Sequence, residues 1–140
     1  MPSRVAEARH ARGLLDTSVV IDLEHLDLDR LPIESAISAL TLAELAAGPH
    51  AAADVETGAR RQDRLQRVEA MFDPLPFDVE ASRAYGRVYA ATVAAGRKAR
   101  GMRAVDLMIA ATACAEGIPL YTRNPGDFRA LHDIIDVVAV

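Results

Sequence analysis

The sequence predicts a single α/β domain, a central, mainly parallel β-sheet flanked by α-helices. Three observations carry it. Short apolar runs of strand length alternate with helical segments. No internal repeat or low-complexity linker divides the chain. Its 140 residues match the size of one domain with one hydrophobic core. Residues 1–12, with Arg4, Arg9 and Arg12, read as a polar N-terminal tail, and 13–140 as the domain.

Each element has its own signal. Gly13-Leu14-Leu15 is an apolar run ending at Asp16-Thr17-Ser18, a buried strand followed by a helix cap. Val19–His25 then forms a short helix. Glu34–Leu40 is a second strand, leading through Thr41-Leu42-Ala43-Glu44 into a helix that stops at Gly48-Pro49. Asp54–Phe72 is a longer helix with Leu65, Val68 and Phe72 on one stripe, and Pro74 terminates it. Leu75-Pro76-Phe77 reads as a brief third strand. Val79–Ala95 is amphipathic and ends at Gly96. Ala104–Glu116 is apolar nearly all round apart from Asp106, the mark of a central buried helix. Ile118–Thr122 and Ile134–Val140 complete the strands.

Composition bounds the function. With 51% hydrophobic and 26% charged residues the chain is an ordinary globular one, not a disordered one. A net charge of −4 excludes nucleic-acid binding by bulk positive charge, though not an enzyme that acts on nucleic acid. The single cysteine, Cys114, lies in an apolar run and supports neither a disulfide framework nor a cysteine-based zinc site. The charge-free stretch Leu107–Ala115 is too short to span a bilayer. The first twelve residues lack the hydrophobic core of a secretory signal, so the expected location is the cytoplasm.

Open parallel sheets place their sites at the carboxyl ends of the strands, and four acids fall there. Asp16 ends the first strand; Glu44 follows the second; Asp106 opens the buried helix; Asp127 lies in the loop after the Ile118–Thr122 strand. Four carboxylates on one edge repel one another, and a hard divalent cation such as Mg²⁺ or Mn²⁺ relieves that repulsion. Each acid also has a bland explanation. Thr41 and Glu44 spell a capping box, Asp106 suits the positive end of a helix dipole, Asp16-Thr17-Ser18 is a cap cluster, and Asp127 in Pro-Gly-Asp suits a turn. The joint arrangement, not any one acid, carries the argument.

Four motifs resemble those of the PIN-domain family in order and spacing: Leu14-Leu15-Asp16-Thr17-Ser18-Val19-Val20-Ile21-Asp22, Leu42-Ala43-Glu44-Leu45, Asp106-Leu107-Met108-Ile109-Ala110-Ala111-Thr112-Ala113 and Thr122-Arg123-Asn124-Pro125-Gly126-Asp127-Phe128. The resemblance covers residues 13–140 and is strongest to the small toxins of VapBC toxin–antitoxin pairs. It implies an endoribonuclease dependent on Mg²⁺ or Mn²⁺, blocked by a VapB-like antitoxin and assembling as a homodimer. Carried over by position, Asp16, Glu44, Asp106 and Asp127 are the catalytic and metal-binding acids, with Thr17, Ser18 and Asn124 as supporting polar residues. A metal-activated water attacking phosphorus leaves a 5′-phosphate and a 3′-hydroxyl.

RNA contact requires positive charge near these acids. Arg97, Lys98, Arg100 and Arg103 lead directly into Asp106, and Arg123 sits in the last motif, so these are the first candidates. Arg60, Arg64 and Arg67 share a helical face and read more readily as solvated surface. Six Phe and Tyr side chains offer little base-stacking surface. His10, His25, His50 and His132 are scattered and suit no histidine-pair mechanism. Two other classes compete: a phosphoacceptor signalling domain, which needs a lysine after a late strand where the only lysine is Lys98, and a non-catalytic interaction domain, whose mark is loss of an acid.

Overall fold

A computed structural model describes residues 9–99, 101 and 103–140; most of the predicted tail and Arg100 lie outside the described residues. Four strands form one sheet: β1 (Arg12–Leu15), β2 (Glu34–Ala36), β3 (Leu120–Thr122) and β4 (Val137–Ala139). Their order is β2-β1-β3-β4, and every pairing is parallel. Five helices cover them: α1 (Thr17–Ile21), α2 (Ala39–Ala47), α3 (Val55–Met71), α4 (Val79–Ala94) and α5 (Arg103–Glu116).

Strand alternation explains why both faces of the sheet are buried. Leu14 and Leu120 point into a core closed by Ala84 and Val88 of α4, Leu107 and Ile109 of α5, and Phe128. Their chain neighbours Leu15 and Tyr121 point the other way, into a second core with Val19, Val20, Leu45 and Val68. A strand flanked on both faces needs consecutive apolar residues, which is why Leu14-Leu15 reads as a run.

Several expectations are corrected in detail. The second strand stops at Ala36, because the buried Ser38 caps α2 by accepting the Leu40 amide on its hydroxyl at 3.0 Å. The Thr41–Glu44 capping box therefore does not exist: both residues stand within α2. Leu75-Pro76-Phe77 forms only an isolated bridge, Leu75 exchanging hydrogen bonds with Ile37 and Ala39 on either side of Ser38. Ordered contacts also reach the last residues of the predicted tail. Arg12 is in β1, the His10 and Ala11 carbonyls accept from Ile33 and Glu34, and the Arg9 guanidinium donates to the Leu28, Leu31 and Pro32 carbonyls.

Two glycines separate backbone freedom from space. At Gly13 an added Cβ meets the buried Tyr121 ring at 2.5 Å and Pro32 at 3.0 Å. At Gly86, within α4, nothing lies within 4 Å. Gly13→Ala is expected to destabilise by about 1–3 kcal/mol through overpacking, and Gly86→Ala to stabilise by about 0.5–1 kcal/mol through helix propensity. Urea denaturation of both variants checks this, and equal effects at the two positions would refute the packing of β1 against Tyr121.

Candidate functional site

The chain runs from β1 to β2 on one side and later returns to β3 on the other, so the carboxyl ends of β1 and β3 form the topological switch point of the sheet. Asp16 is placed there by the residue that follows β1. The register Leu14 to Leu120 and Leu15 to Tyr121 puts it level with Thr122. Asp16 is only 4% exposed, and three donors satisfy its carboxylate. Oδ1 accepts the Thr17 amide at 2.9 Å, capping α1. Oδ2 accepts the Ser18 and Thr122 hydroxyls, each at 2.8 Å. Those hydroxyls in turn accept the backbone N–H of Arg123 and of Asn124, at 3.1 and 3.0 Å, so the last motif's loop hangs on the Asp16 network.

Glu44 enters from α2. Its exposed carboxylate accepts the Thr17 hydroxyl at 2.8 Å, and Thr17 Oγ1 lies 2.9 Å from the hydroxyl of the buried Thr41. With the single Thr17 proton given to Glu44, Thr41 is the donor in that second bond. Asp106 stands half-buried in the first turn of α5. Burial pushes its carboxyl up to about 6, reinforced by the charges of Asp16 and Glu44 and more weakly by Asp127, and opposed by Arg103. Four acids from four segments thus share one electrostatic field, centred on Asp106.

Asp127 is exposed in the helical turn Pro125–Leu131 and carries an ion pair with Arg103, Nη1 to Oδ1 at 3.4 Å; the same guanidinium donates to the Asp127 carbonyl. Asn124 is exposed at the start of that turn, and its carbonyl accepts the Asp127 amide at 3.0 Å. Of the cations predicted to meet RNA, Arg103 is engaged by Asp127 and Arg123 by Asp22 at 3.6 Å. Lys98 is exposed, Arg97 half-buried, and Arg100 lies outside the described residues. Sequence reasoning missed two hydroxyls, Thr122 and Thr41. The signal for Thr122 was its place at the end of a strand that neighbours β1. A groove of about 490 Å³ is lined by Glu44 and Thr17 and also by Arg60, Arg61 and Arg64 of α3, of which Arg60 and Arg64 read in the sequence as solvated surface.

The donor set fits a hard divalent cation: the groups that share the field are carboxylates, and the Asp106 carboxyl is raised first by burial and then by the charges of Asp16 and Glu44. Among the described residues, no three His, Cys, Asp or Glu side chains close a metal cage by themselves.

The repulsion has a sign in stability. A carboxyl raised to about 6 in the folded chain against 3.8 unfolded contributes stability while protonated and loses it as pH rises from about 4 through 6. Asp106→Asn removes that loss. In EDTA at pH 7.5 the variant should melt about 2–4 °C above the wild type, about 1 kcal/mol after allowance for solvent screening of a half-buried group. At pH 4 the two should coincide. Parallel melting curves across this range would show that the acids do not share a field.

A PIN domain family model matches residues 13–133. The ribonuclease VapC5 of Mycobacterium tuberculosis is 39% identical over 124 residues, spanning 86% of this chain and 88% of the relative. The VapC ribonuclease Y4jK of Sinorhizobium fredii is 34% identical over 132 residues, spanning 84% and 90%. Among solved structures, the VapBC-5 toxin–antitoxin complex of Mycobacterium tuberculosis matches with a TM-score of 0.82 at 36% identity, covering 93% of this chain and 99% of the matched one. FitAcB of Neisseria gonorrhoeae matches with a TM-score of 0.67 at 26% identity, covering 90% and 96%. The parallel sheet, the acids at its switch point and these likenesses agree, and the chain belongs to the PIN domain family.

Proposed function

We propose that this chain is the ribonuclease toxin of a toxin–antitoxin pair, an endoribonuclease dependent on Mg²⁺ or Mn²⁺. The observation that carries the reading is the convergence of Asp16, Glu44, Asp106 and Asp127 on one electrostatic field, in a chain 39% identical over most of its length to a ribonuclease. Asp16 and Asp106 are the residues that hold the cation, with Asp127 completing the negative field. When bound, the cation polarises the scissile phosphate and lowers the pKa of a water. Glu44, exposed and fixed by the Thr17 hydroxyl, takes the proton of the attacking water. The water oxygen joins phosphorus as the bond to the 3′-oxygen breaks, leaving a 5′-phosphate and a 3′-hydroxyl. Thr17, Ser18 and Thr122 act as positioning residues, locking the orientation of Glu44 and Asp16.

The structural likeness to a member of the VapBC toxin–antitoxin family supports a VapB-like antitoxin as partner; a homodimer is what the family resemblance implies for the toxin's own assembly. An RNA substrate places the activity in the cytoplasm. Among the described residues no helix is long and apolar enough to cross a membrane.

Cleavage of a structured RNA pool by the purified protein tests the reading. Cutting is expected with Mg²⁺ or Mn²⁺ and not with EDTA, and Asp106→Asn should lower it by about 100-fold or more. Thr122→Val, which keeps shape but removes a donor to Asp16, should cost about 10-fold. Cutting that survives both EDTA and Asp106→Asn would overturn the assignment. Mg²⁺ should also raise the melting temperature of the wild type at pH 7.5, and not that of Asp106→Asn.

A further inference from the structure

We propose that the groove walled by α3 seats the RNA backbone beside the scissile phosphate, with Arg60 and Arg64 contacting successive phosphates. The inference rests on the ribonuclease reading above and adds the substrate path that the motif residues leave undefined. Its first support is position. The groove is lined by Thr17 and Glu44, both part of the acid site, and also by Arg60, Arg61 and Arg64, so a strand lying in it meets both the acids and the arginines.

The second support is how each arginine is held. Arg61 donates to the Gly48 carbonyl at 2.9 Å and its stem packs over Gly48, which makes it a brace between α3 and the end of α2. Arg60 donates only to the Thr57 hydroxyl at 3.2 Å and keeps an exposed guanidinium. Arg64 is half-buried and has no hydrogen bond or ion pair to any described residue. By contrast Arg67, one turn further, is paired with Glu24 at 2.6 Å. The Arg64 guanidinium nitrogens are unpaired and still open to solvent, so they are available to an anion entering the groove. Asp54 offsets part of this charge near Arg60 and Arg61: its carboxyl is held below the ordinary value by two hydrogen bonds from Thr57 and, less strongly, by these arginines. Arg64 is outside that neutralisation.

The third support is spacing and chain charge. Residues four apart on a helix rise about 6 Å along its axis, comparable to adjacent phosphates of an extended strand. In a chain of net charge −4 a polyanion must be held locally, and Arg103 and Arg123 are already engaged by Asp127 and Asp22.

Binding and cleavage are measured separately. In the Asp106→Asn background with Mg²⁺, fluorescence anisotropy of a labelled oligouridylate of about twelve nucleotides reads affinity against salt. Adding Arg60→Gln with Arg64→Gln should weaken binding about 10-fold and lower the log–log salt slope by about 1.4, two contacts at 0.7 each. Arg64→Lys should keep most of the slope, and Arg83→Gln on α4 should change nothing. In the active background the double variant should raise KM for RNA and leave kcat close to wild type. Unchanged affinity and slope in the double variant, or no binding by its parent, would overturn the proposal and leave the groove to a protein occupant such as an antitoxin. An equal loss in Arg83→Gln would overturn it in favour of diffuse charge. Arginine-dependent binding by a protein that cuts no RNA with either metal would instead overturn the ribonuclease reading and leave the groove assignment standing.

Discussion

The buried carboxylate of Asp16 is the constraint on which the rest depends. A nearly inaccessible charge costs several kcal/mol unless its lone pairs are met. Here they are met from three directions: the first amide of α1, the next hydroxyl in the chain, and the end of β3, over a hundred residues away. That requirement fixes the β1–β3 register, because a slip of one residue would turn Thr122 to the opposite face of the sheet. It also sets the start of α1. Five residues make too short a helix to persist in isolation, so this one exists because Asp16 caps it and Val19 and Val20 bury beneath it. The interaction that builds the site also aligns the sheet.

Around that fixed point the other acids are held apart rather than brought together. Glu44 is kept by Thr17, Asp127 by Arg103, and Asp106 by the rigid first turn of α5. None is paired to another, and the field they create is unfavourable in the protein alone. Such an arrangement stores repulsion that a cation relieves, so the acids are already placed when substrate arrives. A closed cage would satisfy the carboxylates fully and leave less for the transition state. The open geometry is therefore the one expected of a working phosphodiesterase site.

The fold was largely legible in the sequence because the two central strands are flanked on both faces and leave an unbroken apolar pair, Leu14-Leu15 and Leu120-Tyr121. The acids were legible because topology sends all four to one edge. What escaped was set by contacts remote in sequence. Ser38, not Thr41, caps α2, since the chain turns where the Leu75 bridge grips both sides of Ser38, and no local pattern announces that bridge. Thr122 is identified only once the β1–β3 register is known. Sequence proximity to Asp106 favoured Arg103 as an RNA contact, yet helical geometry turns it onto Asp127. The α3 arginines lie more than a dozen residues from any of the acids and meet the site only as lining of the same groove.

An acidic protein that acts on a polyanion must separate two tasks that one charged surface cannot perform. Carboxylates have to crowd where the cation belongs, and that crowd repels the same phosphates it is meant to cleave. The fold resolves this by assigning the tasks to different sides of the sheet edge. The acids are anchored on β1, α2, α5 and the turn after β3, while α3 contributes none of them and is left to present cations in the groove. Separation by a groove rather than by contact matters. Arg64 lines the same groove as Glu44 without an ion pair to any described residue, so on the proposed reading both charges stay available to the substrate. Arg103 shows the other outcome, a cation brought within 3.4 Å of Asp127 and held there. On the proposed reading the spacing between α3 and the acids serves the substrate, and the Arg61 bond to the end of α2 braces α3 there.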